Sequence, residues 1–316
     1  MIFRIIPADT FIWNLSELVD FLIEHQNQDI IITNGTEGCC ARTIGLYQWL
    51  DKFSFNSVTI ETGNILESHD RYKISYKMSW KFFEVERPIE QQLHTWNQKS
   101  VFGTVYGRPI WHRLGIVSHL LSVHPDISEI GCLGDATHPD KRKQFEIAEL
   151  WEHDADSLVK FAQISSGFPY KHTDVDPYAP ASTLTDGYVK QTEKIYKNFL
   201  IDIVSETFTS GDCFFATDKT IRPMLLKKPF IIFASKHHLA YLTQMGFKTF
   251  QEFWNEGYDN ADGVNRYQQI LQLIDWIAQQ PMDALVDMYQ RMAPILDHNY
   301  NLLMRQHYDT TITKIQ

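Results

Sequence analysis

Glu206, Thr217, Asp218, Lys219 and Arg222 are the side chains of this sequence whose types and spacing point most directly to shared chemistry. Thr217 is a good N-cap, and the first N–H groups of a helix lack intrahelical partners, so with the helix dipole they attract an anion. Lys219 and Arg222 stand three residues apart, which makes them neighbours on a helix surface and able to reach one diphosphate. Asp218 and Glu206 repel phosphate, but they can accept hydrogen bonds from ribose or sugar hydroxyls. The chemistry indicated is the holding of a nucleotide sugar. An N-capped surface helix with ordinary charges fits the same local pattern.

Elements that would position these groups follow from periodicity. Leu15 to Glu24 has a helical pattern, Asp29 to Thr33 is an apolar strand, and Asn34 to Gly38 is a turn into a further helix toward Leu50. Val58 to Glu61 and Val101 to Val105 are short strands. Arg108-Pro109 leads into a helix toward His124, and Ile130 to Leu133 is the next strand. A helical stretch spans Arg142 to Gln163, and Gly167 to Asp186, with Pro169, Pro177 and Pro180, has the composition of a linker. Later come a helix near Tyr188 to Lys197, a strand from Phe199 to Ser205, the Thr217 helix and a strand after Pro229. Helices over His237 to Met245, Val264 to Ala278 and Asp283 to Gln306 close the chain. Gly246 is the expected residue beyond a helix end, and Pro223 should disturb the helix that contains it.

At the anion-binding segment the sequence resembles a known family. Ser205-Glu206-Thr207, Thr217-Asp218-Lys219-Thr220, Arg222-Pro223, Pro229-Phe230-Ile231, Gly246 to Phe250 and Tyr258-Asp259 follow the order found in the donor-binding segment of α1,3-fucosyltransferases. They are still more similar to a group of bacteriophage and large-virus glycosyltransferases related to them. Asp218 departs from the pattern, since that family usually has Glu there. The resemblance covers the second half of the chain closely and the first half loosely.

That resemblance implies an α/β fold of GT-B type: two Rossmann-like domains with the reaction in the cleft between them. An acceptor-side domain is expected over residues 1–165 and a nucleotide-sugar domain with C-terminal helices over 166–316. It implies a metal-independent glycosyltransferase whose co-substrate is a UDP- or GDP-sugar, with no other cofactor. The donor would be held by Glu206, Thr217, Asp218, Lys219 and Arg222, joined by Arg108 and Arg113 from an Arg-Pro-x-x-His-Arg pattern that includes His112. In related enzymes the general base is a carboxylate of the first domain. Glu37, in a turn just past a strand end, is the first candidate, and Asp135, after another strand, the second. Glu37 also fits a plain helix-start acid.

Composition and charge bound the partners. The chain has 316 residues, 44% of them hydrophobic, enough for substantial cores, and its length suggests two domains. No run is apolar enough to span a bilayer and no signal-peptide core follows Met1, so a cytoplasmic protein, in a host cell if viral, is expected. The four cysteines form no C-x-x-C pair and are expected as reduced, buried thiols. A formal charge of −10 argues against bulk attraction to nucleic acid. Against it stands the alternation from Arg71 to Lys81, with Lys73, Lys77 and Lys81 on one face: a lysine-guarded edge strand, or a ridge that tracks DNA phosphates. With the viral resemblance, that ridge makes a hydroxymethylated pyrimidine in double-stranded phage DNA one expected acceptor. Transfer to a glycan or surface polysaccharide is the alternative, and a non-catalytic nucleotide-sugar-binding protein is another. The Asp154-Ala155-Asp156 and Asp174-Val175-Asp176 triplets resemble the metal-binding pair of the GT-A fold, but the first lies in a helical pattern that makes its carboxylates diverge. No metal is expected.

Overall fold

The computed structural model describes residues 1–34, 38–76, 83–84, 96–107, 109–132, 141–167, 170, 184–185 and 192–308. Among these residues the protein is mixed α/β with two four-stranded sheets, both parallel throughout. The first sheet runs β1 (Ile2–Arg4), β2 (Asp29–Thr33), β3 (Ser57–Thr62), β4 (Lys73–Tyr76), in sequence order. Helix α1 (Leu15–Glu24) connects β1 to β2 and buries Leu18 and Leu22, one turn apart on the same face. Helix α2, expected to be longer, is the single turn Leu46–Leu50 between β2 and β3. A left-handed Gly45 (φ +74°) immediately before it sets its start.

The second sheet is ordered β10-β9-β6-β7, from β6 (Ser100–Tyr106), β7 (Ser128–Cys132), β9 (Phe199–Ser205) and β10 (Phe230–Phe233). A separate short pairing joins β5 (Phe83–Glu84) to β8 (Leu184–Thr185). Helix α3 (Trp111–Val123) links β6 to β7; α4 (Lys141–His153), α5 (Ala155–Ile164) and α6 (residues 192–196) lie between β7 and β9. Helix α7 (Asp218–Leu225) joins β9 to β10, and α8 (His238–Gln244), α9 (Gly263–Ala278) and α10 (Met282–Tyr308) complete the chain. Gly246, at φ +93°, ends α8 as its position predicts. Pro223 falls near the end of the eight-residue α7, where the helix needs only two more residues beyond it.

Hydrogen-bonded strands on both sides of residues 165 and 166 share the second sheet, because β6 pairs with β9, so the expected boundary does not separate the two sheets. Each sheet has its own apolar core, and the first core is completed by Phe208, Cys213 and Phe215 from the segment after β9. The helical stretch expected over Arg142 to Gln163 is present as two helices, broken at Asp154. Its Oδ1 caps α5 by accepting from the Ser157 N–H at 3.1 Å, and its Oδ2 accepts from the Ser157 hydroxyl at 2.6 Å. All four cysteines are buried, and none forms a disulfide. Among the described residues no helix is long and apolar enough to cross a membrane.

Candidate functional site

In the second sheet β6 and β9 lie side by side at the centre, while their successors β7 and β10 lie on opposite outer edges. The chain therefore leaves the two central strands in opposite directions, and the place beyond their carboxyl ends is where ligands of open α/β sheets usually bind. Arg113, in the first turn of α3, reaches across this point. Its Nη2 donates to the carbonyls of Ser205 at 2.8 Å and Glu206 at 3.4 Å, and its Nε donates to the Ser205 hydroxyl at 3.3 Å. The guanidinium also sits 5.6 Å from the Tyr106 ring. His112, beside it, shares a 2.7 Å hydrogen bond with Ser205 and stacks on Phe233. Burial, reinforced by Arg113, pushes its pKa well below the ordinary histidine value, so it is neutral.

Glu206 has an inward role. It is 1% exposed; one oxygen accepts from the Thr217 N–H at 3.0 Å and the Thr220 hydroxyl at 2.5 Å, the other from the Thr217 hydroxyl at 2.6 Å. Between Glu206 and Thr217 the chain makes an excursion into the first half of the molecule. Asp9 accepts four hydrogen bonds there, from the N–H and hydroxyl of both Thr209 and Ser210. Asn64, fully buried, donates to the Asp212 carbonyl and accepts from the Phe214 N–H. Glu206 thus ties together the two ends of a loop whose middle is anchored in the other core. Charge-assisted hydrogen bonds of this kind contribute roughly 1.5–3 kcal/mol each.

Thr217 caps α7 as its sequence predicts, its hydroxyl accepting from the Lys219 N–H at 3.2 Å. The two cations expected on one face part company. Arg222 turns inward: Nε donates to the Tyr196 hydroxyl at 2.6 Å, Nη2 to the Val105 carbonyl at 3.2 Å, and Asp202 lies 3.8 Å away. Lys219 stays at the surface, contacting Asp218 at 3.1 Å, with 21% of its side chain exposed against 4% for Arg222. Burial works against charge on Asp218, but Lys219, Arg222 and Arg113 outweigh it and hold its pKa below the usual carboxylate value. Three cations therefore bear on the Asp218 carboxylate, with the carboxylates of Glu206 and Asp202 close by to balance them.

Glu37, Arg108, Asp135, Lys77 and Lys81, and the Asp174 to Asp176 triplet, lie outside the described residues. Gly38, next to Glu37 in sequence, accepts a hydrogen bond from the Cys213 thiol, and a Cβ on it would meet the Phe215 ring at 2.2 Å. The chain beside Glu37 is thus packed two residues from Thr217. Lys73 is exposed on β4, which is an edge of the first sheet among the described strands and is remote in sequence from α7. Sequence reasoning missed Asp9, Asn64 and Tyr196, which no local pattern marks. Asp202 did carry a signal, a carboxylate inside an apolar strand, which requires a buried partner.

His119 and His124 gain a partner that spacing alone could not supply: Asp275, from α9, lies 2.7 Å from both Nε2 atoms. These ligand atoms lie within 4.8 Å of one another, as a metal would require. The Lys160 ammonium, 3.5 Å from His119 Nδ1, opposes a divalent cation there, so the group acts as a clasp between α3 and α9. No protein-family model matches the chain, and no curated protein matches it.

Proposed function

We propose that the protein is a glycosyltransferase that binds the diphosphate of a nucleotide sugar at the start of α7. One observation carries the reading: Lys219, Arg222 and Arg113 all act on Asp218 at the start of α7, the helix that follows β9 where the sheet reverses direction. Lys219, the most exposed of the three, would contact phosphate; Arg113 and Arg222, tied to backbone carbonyls, would supply a preorganised field. As the acceptor hydroxyl attacks the anomeric carbon, a base takes its proton and the nucleoside diphosphate leaves with added negative charge, which that field stabilises. Glu37 is the favoured base, because its neighbour Gly38 is packed against Phe215. A GT-B arrangement, with the first sheet as acceptor side, accords with this division of labour. The acceptor we favour is a hydroxymethylated pyrimidine in phage DNA.

Incubation with UDP- and GDP-sugars and hydroxymethylcytosine or hydroxymethyluracil DNA, with and without EDTA, tests it. Sugar on the DNA, unaffected by EDTA, is expected. Glu37→Gln should keep donor binding and lose turnover. Failure of every nucleotide sugar to bind would end the proposal, and binding without transfer to DNA or glycan would leave a binding protein.

A further inference from the structure

His119 lies within α3 and His124 is the residue that ends it, while Asp275 comes from the later part of α9. These three side chains, from two helices, converge on one point. Both Nε2 atoms lie 2.7 Å from the same oxygen, Oδ1 of Asp275, and all three ligand atoms fall within 4.8 Å of one another. Among the described residues the other oxygen, Oδ2, accepts nothing, an uneven sharing for a group that only makes hydrogen bonds. It is the layout of a metal tripod. Burial is graded across it: the side chains of His119, His124 and Asp275 are 6%, 16% and 39% exposed. The tripod therefore has a dry floor and one open side, where water can complete a coordination shell.

The donor set selects the ion. Two imidazoles and one carboxylate suit zinc, which takes His nitrogen and Asp oxygen and often keeps water as a fourth ligand, whereas calcium and magnesium take oxygen. Bonds of about 2.0–2.1 Å at tetrahedral angles set neighbouring ligand atoms roughly 3.3 Å apart, so the Asp275 carboxylate need draw back by only about 0.6 Å to admit the ion. Coordination through Nε2 places each imidazole proton on Nδ1. His124 Nδ1 has no partner among the described residues and carries it freely. His119 Nδ1 faces the Lys160 ammonium, which can only donate. That contact is 3.5 Å long, at the limit of a hydrogen bond, and Lys160 is half-buried, so its ammonium can swing into solvent. Lys160 thus opposes the ion without barring it, and holds the clasp in its hydrogen-bonded form until zinc is supplied.

We propose that His119, His124 and Asp275 form a zinc site that converts the clasp between α3 and α9 into a metal brace, with Lys160 as the opposing charge that sets its affinity. It does not depend on the nucleotide-sugar reading of α7, and the ion takes no part in sugar transfer. For the test, the full chain is freed of metal by chelation and dialysis, then titrated with cobalt(II), whose visible absorption reports tetrahedral coordination, and finally with zinc. A one-to-one cobalt complex that zinc displaces is expected, together with a zinc-dependent rise in melting temperature. Asp275→Asn and His124→Gln should each weaken zinc binding roughly a hundredfold or more and remove that rise, whereas Lys160→Met should tighten binding roughly tenfold. Melting of the metal-free variants separates loss of binding from loss of fold. No one-to-one zinc complex with the parent chain overturns the proposal. So does binding that Asp275→Asn or His124→Gln leaves unchanged, or that Lys160→Met fails to tighten.

Discussion

The first and second sheets are both parallel, yet β2 and β3 alternate between buried and less buried positions while β9 and β10 are buried at every position. Strand order accounts for the difference. In the first sheet each strand lies beside its predecessor, so right-handed crossovers all fall on one face and leave the other less covered. In the second, the successors of β6 and β9 go opposite ways, so helices cover both faces and strand order reverses between the two central strands. The winding that buries a strand completely is thus also the one whose point of reversal is the usual ligand position of open α/β sheets. The charged side chains follow it: Arg113 is buried against the end of β9, and Arg222 is buried against Val105 of β6 and Asp202 in the middle of β9.

The sharpest way to break this contrast is to shorten one side chain in each sheet. Ile203→Ala in β9 should cost about 2–5 kcal/mol, and Ile31→Ala in β2 about 1 kcal/mol, by urea denaturation. Equal losses would remove the distinction. Acidification is the next lever, because His112 and His238 are buried neutral in the second half; burial pushes His238 down to about 3. Their folded pKa values lie below the unfolded value of about 6.5, so stability is whole above that pH and falls below it by about 1.4 kcal/mol per pH unit for each. Glu256, raised to about 7 by burial, takes up a proton in the folded state and offsets one of the two. Hydrogen exchange between pH 7 and 5 should therefore show the second sheet losing protection before the first.

Gly38→Ala addresses the joint between the halves. Its Cβ would overlap the Phe215 ring, and a loss of about 1–3 kcal/mol by thermal melting is expected, with weaker donor binding because Phe215 leads into Thr217. Smallest in stability is Lys219→Ala, expected within about 0.5 kcal/mol of the parent by the same melts. Calorimetric titration with nucleoside diphosphates should nevertheless show binding weakened roughly tenfold or more. Unchanged affinity would detach Lys219 from the proposed diphosphate site at the start of α7.

Much of the local structure was legible in the sequence. The Leu15–Glu24 helix, the strands Asp29–Thr33 and Phe199–Ser205, the Thr217 cap and the Gly246 stop all follow from periodicity and capping chemistry, which depend on neighbours in the chain. The parting of Lys219 and Arg222 did not follow. Helical spacing puts two residues on adjoining surface, but only the partners offered by Tyr196, Val105 and Asp202 drew one guanidinium inward. Glu206 was legible as a carboxylate at a strand end and illegible as the tie across a loop.

By itself, then, the sequence determined the elements, their caps and the concentration of unusual charge around 206–222. Only the tertiary structure decided which charges meet solvent, which sheet carries the reversal of strand order, and that Asp9, Asn64 and Asp275 have partners far along the chain. The physical reason is range. Capping and periodicity are fixed within a turn or a strand, whereas the pairing of a buried charge is set by whichever distant groups the packing delivers to it.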